Sequence, residues 1–319
     1  TGVSRLRPDS PQQLRDTTRR ESLSKLSNVT FDLALRFSRA ILPASLRRGL
    51  GRMMAALAAY LARRRLVRMR AHFFLAGGGG GSKVVPFLDY RVSITDGPNF
   101  YMQYKDEFVR RIYHFDAQRP DPRIIDGGGN MGMSVLYFKR VYPGARITCF
   151  EPDPAIFGLL QENLARNGMT DVRLINAGLS GAAGDVDFAP DGSAGGQITT
   201  ARKSIRVRME RLSDYLDEPI DFLKLNIEGE ELPVLQETAA RGKLRNVREL
   251  VLEYHGWAQG EQRLGDILNL LDRNGYRYLV HDFDAETCGA SKPPFRLNPE
   301  TTWFCLVYGR RFDNEVAGV

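Results

Sequence analysis

An α/β fold, a mostly parallel sheet covered by helices with an antiparallel pair at one edge and a helical arm in front, is what this sequence predicts. Three observations carry it. From Arg123 onward, short β-branched runs alternate with stretches of helical period, the pattern of parallel strands joined by helical crossovers. The turn Asp126-Gly127-Gly128-Gly129-Asn130-Met131-Gly132 lies between the first such strand and the first helix. The last two strand-like runs have no helix between them, so they are expected to pair antiparallel at the edge. Apolar residues make up 43% and charged residues 26% of the 319, which excludes global disorder and a membrane bundle.

Residues 1–19 are polar and read as disordered. Residues 20–76 read as a basic helical arm. Leu26, Val29, Leu33, Phe37 and Ile41 recur at helical spacing up to Pro43, and Leu46, Leu50, Met53, Leu57 and Leu61 form a second stripe among arginines. Thr1–Leu75 holds 16 Lys/Arg against 4 Asp/Glu, whereas the remainder holds 29 against 34. The formal charge of +7 therefore belongs to the arm. Such an arm suits packing on the body, self-association, or a peripheral place on an anionic membrane surface. The mildly acidic body speaks against nucleic acid as a partner. Met53–Ala62, the best apolar run, is half of the roughly 20 residues a membrane span needs. The first 25 residues are polar, unlike a secretory signal. Cys149, Cys288 and Cys305 form no paired or metal-binding spacing, which fits a reducing cytoplasm.

Residues 77–82 (Gly77 to Ser82) read as a flexible linker. Residues 83–122 read as lead-in strands, Phe87–Val92 and Asn99–Met102, forming a substrate-side cap. The main domain spans 123–312. Its expected strands are Arg123–Asp126, Arg146–Glu151, Val172–Ala177, Asp221–Ile227, Glu249–Tyr254, Tyr276–Asp282 and Thr302–Tyr308. Its expected helices are Asn130–Val141, Pro154–Asn167, Glu230–Arg241 and Leu264–Asn274. A hairpin is expected around Asp185–Phe188, inside a glycine-rich stretch, Gly178–Ser204, that reads as a flap or a solvated loop. Residues 313–319 form a tail.

The glycine turn satisfies GxGxxG through Gly127, Gly129 and Gly132, with Gly128 and Asn130 between them, and Glu151 ends the next strand. Strand, turn, helix and second-strand acid together point to a nucleotide-type ligand. Asp126 stands directly before the first glycine. A carboxylate there repels a pyrophosphate and attracts a sulfonium and an ammonium, which favours S-adenosylmethionine over a dinucleotide. Glu151 takes ribose hydroxyls under either reading. By analogy of fold, Asn176 and Ala177, at the end of the third strand, face the adenine.

Asp126 to Gly132, then Phe150-Glu151-Pro152-Asp153-Pro154, then Leu223-Lys224-Leu225-Asn226-Ile227-Glu228-Gly229-Glu230-Glu231 resemble the FkbM family of methyltransferases, over roughly Ile124 to Tyr308. The resemblance implies a seven-stranded class I, Rossmann-like methyltransferase fold with S-adenosylmethionine as donor and S-adenosylhomocysteine as product. It also implies O-methylation of a hydroxyl on a sugar, glycan, glycolipid or natural product. Two positions depart from the family pattern. Asp-Gly-Gly-Gly-Asn stands for the usual Asp-Val-Gly-Ala-Asn, and Asn226 for the usual Asp.

Acceptor residues are expected beyond the carboxyl ends of the strands. Asn226 and Glu228 follow the fourth strand; Glu253, Tyr254, His255 and Trp257 end or follow the fifth. An alkyl hydroxyl needs a base as it attacks. His255 is the first candidate, with its near-neutral reference pKa, and Glu228 is the rival. Asn226 holds the methionine end or the acceptor. A divalent metal on Glu228, Glu231, Glu253 and His255 is not favoured, because Asn226 removes a carboxylate. Two alternatives stand beside this reading. One is an NAD(P)-binding oxidoreductase, from GxGxxG; the other is a non-catalytic assembly protein with a degenerate site, from Asn226.

Overall fold

The computed structural model describes residues 82–189, 197–198, 204–257, 261–281, 293–294 and 298–312, together with Arg64 and Met69. The chain divides into two compact units, Thr1–Arg68 and Met69–Val319. The expected disordered start, helical arm, linker and tail lie outside the described residues, except that Arg64 and Met69 are helical and Ser82 precedes the first strand.

The body begins with a hairpin, β1 (Lys83–Phe87) and β2 (Tyr90–Ile94), paired Val85 to Val92 and Phe87 to Tyr90. The single strand expected over Phe87–Val92 is thus two strands around a Leu88-Asp89 turn, with Leu88 in the left-handed region at φ 50°. The alternation of apolar residues continues through the turn, and Leu-Asp is not a favoured turn pair, so the sequence hid it. Next comes α1 (Gly97–Gln103), followed by a π-helical segment, Tyr104–Arg110. The strand expected at Asn99–Met102 is therefore helical. Asp96 caps it by accepting from the Asn99 amide, and Pro98 sits in its first turn, a start signal stronger than the aromatic run that suggested a strand.

The main sheet then forms: β3 (Arg123–Gly127), α2 (Met133–Val141), β4 (Arg146–Phe150), α3 (Pro154–Arg166) and β5 (Arg173–Ile175). Helix α2 starts three residues later than expected because Gly128, Asn130 and Gly132 all have positive φ. Asp153 caps α3 through the Ala155 and Ile156 amides, with Pro154 in the first turn. β5 is shorter than expected. The chain turns at Ala177 and passes into a second sheet built from β6 (Gly178–Leu179), β7 (Gly184–Ala189), β8 (Gln197–Ile198) and β9 (Ile205–Glu210). The expected hairpin is present there: β7 pairs antiparallel with both β8 and β9. The described part of the glycine-rich stretch is thus partly sheet rather than loop.

The remaining elements are β10 (Ile220–Leu225), α4 (Glu231–Ala240), β11 (Val247–Gly256), α5 (Leu264–Arg273), β12 (Tyr276–His281) and β13 (Trp303–Arg311). The seven-stranded sheet runs β12-β13-β11-β10-β3-β4-β5. β13 is inserted antiparallel between β11 and β12, and the inner strands are parallel. Strand order reverses at β3, whose neighbours are β4 on one side and β10 on the other. The crevice at that switch point is where ligands bind in such sheets. Beneath it Phe222 stacks on Phe115 at 4.4 Å and meets Phe138 edge-on at 5.9 Å; burying one such ring stabilises the fold by about 1.5–3 kcal/mol. Asn163 of α3 ties the lead-in hairpin to the glycine turn. It accepts from the Ser93 amide and donates to the Ser93 and Met131 carbonyls.

Candidate active site

β3 delivers the glycine turn to the switch point, and close packing dictates its composition. A Cβ on Gly128, whose φ is 82°, would lie 1.9 Å from the Asn226 carbonyl oxygen, and one on Gly129 would lie 2.1 Å from Cys149 Sγ. Only glycine lets the turn sit between the ends of β10 and β4. The Gly128 and Gly129 amides both donate to the Phe150 carbonyl, at 3.0 and 2.8 Å. The Asn130 amide donates to Glu151 Oε2 and the Asp153 amide to Glu151 Oε1, each at 2.9 Å. Burial pushes the Glu151 carboxyl up to about 7, against the pull of those two amides.

Asp126 does something other than the sequence suggested. Its side chain is fully buried, with Oδ1 2.8 Å from Lys224 Nζ and Oδ2 accepting from Ser134 Oγ at 2.5 Å. Lys224 Nζ also donates to the Gly127 and Gly128 carbonyls. Asp126 therefore neutralises Lys224 and braces the turn, and its charge is not presented to a ligand. Asn176, which is exposed, is likewise spent on the backbone: its Nδ2 donates to the Glu151 and Pro152 carbonyls.

A cavity of about 610 Å³ opens over the turn. Gly128, Gly129, Asn130, Glu151 and Pro152 line one part of it, and Asn226, Glu228, Glu253, His255 and Trp257 another. Asp126, Gly127, Gly132, Asn176 and Ala177 are not among its lining residues. Gln103, Asp106 and Glu107, from the helical lead-in segments, line it as well. Sequence reasoning missed these three because it took the segment as strand; the Asp96 cap is the signal that could have revealed it.

At the end of β10 the chain turns through Glu228 (φ 57°) and Gly229 (φ 109°). Glu231 holds this turn by accepting from the Ile227 and Gly229 amides at 3.1 and 3.0 Å. That leaves Glu228 directed to His255, whose Nε2 is 3.3 Å from Glu228 Oε2 and whose Nδ1 is 3.7 Å from Glu231 Oε1. Trp257 stacks on the imidazole at 5.1 Å, and Phe304 meets it edge-on. Burial alone would lower the His255 pKa, but Glu231, Glu228 and Glu253 together outweigh it and push it up to about 9. At neutral pH it is a cation and a donor. The free lone pair that a histidine base needs is absent.

Glu253 stands beside this pair. Its Oε2 accepts from Asn226 Nδ2 at 3.1 Å and from the Tyr113 hydroxyl at 3.5 Å. Burial pushes it up to about 7, with the His255 charge pulling the other way. Asn226, in place of a carboxylate, gives Glu253 a donor where an Asp would add a like charge. Among the described residues, no group of three or more His, Cys, Asp or Glu side chains could hold a metal ion. No described helix is long and apolar enough to cross a membrane.

Residues 126–278 match the family model described as the methyltransferase FkbM domain. Over these residues the chain is similar to the FkbM methyltransferases. Methyltransferase sdnD of Sordaria araneosa is 30% identical over 172 residues, covering 42% of this chain and 66% of that protein. The 2-O-methyltransferase NoeI of Sinorhizobium fredii is 29% identical over 48% of this chain and 72% of its own. The 31-O-demethyl-FK506 methyltransferase FkbM of Streptomyces tacrolimicus is 27% identical over 54% and 80%. The chain thus spans just under two thirds of the sdnD protein and somewhat more of the other two.

Proposed function

We propose that this protein is an S-adenosylmethionine-dependent O-methyltransferase acting on a hydroxyl of a sugar, glycan, glycolipid or natural product. One observation carries the reading. A single cavity joins a glycine turn backed by the buried Glu151 to a second carboxylate, Glu253, pushed up to about 7. The names of the Sinorhizobium and Streptomyces relatives support oxygen as the atom methylated.

The residues present suit a cationic donor. Glu107, Glu151, Glu228 and Glu253 line the cavity, and its described lining cations, Lys224 and His255, are both ion-paired. A dinucleotide's pyrophosphate would meet like charge there. Glu151 and the Gly128–Asn130 turn would hold the adenosyl end. When bound, the donor supplies a methyl group on positively charged sulfur. Glu253 takes the hydroxyl proton of the acceptor, an event that general bases favour when their pKa lies near the working pH. Asn226 and Tyr113 fix the orientation of Glu253. His255, held cationic by Glu228 and Glu231, keeps part of the Glu253 population ionised through its charge. Trp257 offers the acceptor a ring face, and its Nε1 has no hydrogen-bond partner among the described residues.

The test is transfer of labelled methyl from S-adenosylmethionine to a panel of glycosides and natural-product alcohols. A base-stable methyl ether is the expected product. Base-labile methyl esters, or transfer to amines alone, would refute the assignment to hydroxyl oxygen. The basic arm supports one further part of this reading, docking to an anionic membrane surface that carries the acceptor.

A further inference from the structure

The sequestration of Asp126 leaves a question that the cavity itself answers. A donor of the proposed class carries an ammonium as well as a sulfonium, and a buried ammonium needs a carboxylate. Asp126 is closed off by Lys224 and Ser134, and Glu151 is fixed by the Asn130 and Asp153 amides. Glu253 is held by Asn226 and Tyr113, and Glu228 stands against His255.

Glu107 differs from all of these. It lines the cavity with only 6% of its surface exposed, and its Oε2 has no hydrogen-bond partner among the described residues. A buried carboxylate oxygen without a partner is costly, and such groups call for a functional reason. It shares the cavity with Gly128, Gly129 and Asn130 of the glycine turn. Gln103, four residues earlier, reaches Asn130 of that turn through Nε2 at 3.5 Å. Resting on the methyltransferase reading, we propose that Glu107 is the counter-ion of the donor's ammonium group, the role that sequence reasoning gave to Asp126.

Burial keeps the Glu107 carboxyl well above the usual range. The charge of Lys224 opposes that, while the carboxylates of Asp126, Asp106 and Glu253 reinforce it. In the free protein burial therefore favours its protonated form. An ammonium placed against it restores its ionisation, so binding releases a proton.

The test is calorimetry of S-adenosylhomocysteine binding near pH 7 in buffers of different ionisation enthalpy. The wild-type protein, Glu107→Gln, and the desamino analogue of the ligand are compared. Wild type is expected to release more protons per site than Glu107→Gln. The substitution should weaken binding about 10- to 100-fold, the scale of a lost hydrogen bond to a charged group. The desamino analogue should bind wild type and variant within about 2-fold of each other and release no proton from Glu107. On wild-type protein alone, S-adenosylhomocysteine should release more protons than the desamino analogue, a comparison that holds even if the variant folds poorly. Equal affinity and equal proton release for wild type and Glu107→Gln would overturn the assignment while leaving the donor reading intact. Failure of wild type to bind S-adenosylhomocysteine at all would overturn the donor reading and this assignment with it.

Discussion

The two ends of the cavity are built differently. The glycine-turn end is mainly backbone: Gly128 and Gly129 pack where no side chain fits, and two amides clamp Glu151. Asp126 and Lys224 lie closed within it as an ion pair, exposed by only 0% and 2%. The other end, beyond β10 and β11, is mainly titratable side chains. Glu228 follows one strand while Glu253 and His255 come from another, and the charges on Glu253 and His255 depend on Glu228 and on each other. The first is a shape, which substitution breaks by strain or by a stranded charge. The second is an electrostatic arrangement, which substitution retunes while the fold persists.

The sharpest way to break that contrast is Lys224→Met. It strands the Asp126 carboxylate, a loss of about 3–5 kcal/mol for a buried pair cut on one side. Urea unfolding measures it, and adding Asp126→Leu should recover much of the loss. An unchanged midpoint in the single variant would mean that the pair does not hold this end together.

The titratable end makes its prediction in pH. His255 is raised from 6.5 to about 9, so the stability it contributes is fully present below pH 6.5 and is lost as pH rises to about 9. The shift is worth on the order of 3 kcal/mol. Glu151 and Glu253, raised from 4.5 to about 7, act with the same sign in a lower window, between pH 4.5 and about 7. Unfolding free energy measured across pH 6.5–9.5 should fall in the wild type and stay nearly flat in His255→Gln. Parallel curves would show that the carboxylates do not hold the imidazolium.

Catalysis gives a smaller energy. Glu253→Gln should lower kcat about 100-fold, with S-adenosylhomocysteine affinity nearly unchanged and the rise of rate through pH 7 removed. A full-rate variant would return the base role to Glu228. The smallest effect belongs to the arm. Deleting residues 1–76 should leave methyl transfer to a water-soluble acceptor within about 2-fold, yet reduce pelleting with anionic vesicles. Equal pelleting would remove the membrane from the account.

The same contrast explains what could be read from the sequence. The parallel sheet, its antiparallel edge and the glycine turn were legible because period and spacing are local properties, and local spacing sets backbone shape. Glu151 was legible as a position in the cavity lining for the same reason. The role of Asp126 was not, because it is decided by Lys224, 98 residues away. His255 was found as a position, but its protonation depends on Glu228, Glu231 and Glu253, which only the fold brings together. Glu107 was invisible, because Asp96 and Pro98 turn an aromatic run into the helix that leads to it.

The central claim is that the cavity holds a methyl donor. Thermal unfolding with S-adenosylhomocysteine and, separately, with NAD tests it most directly. A ligand at about 100 times its dissociation constant adds roughly 2.7 kcal/mol, a rise of about 5–10 °C in Tm for a domain of this size. The account predicts that rise with S-adenosylhomocysteine and none with NAD. A rise with NAD alone, or with neither, would contradict it.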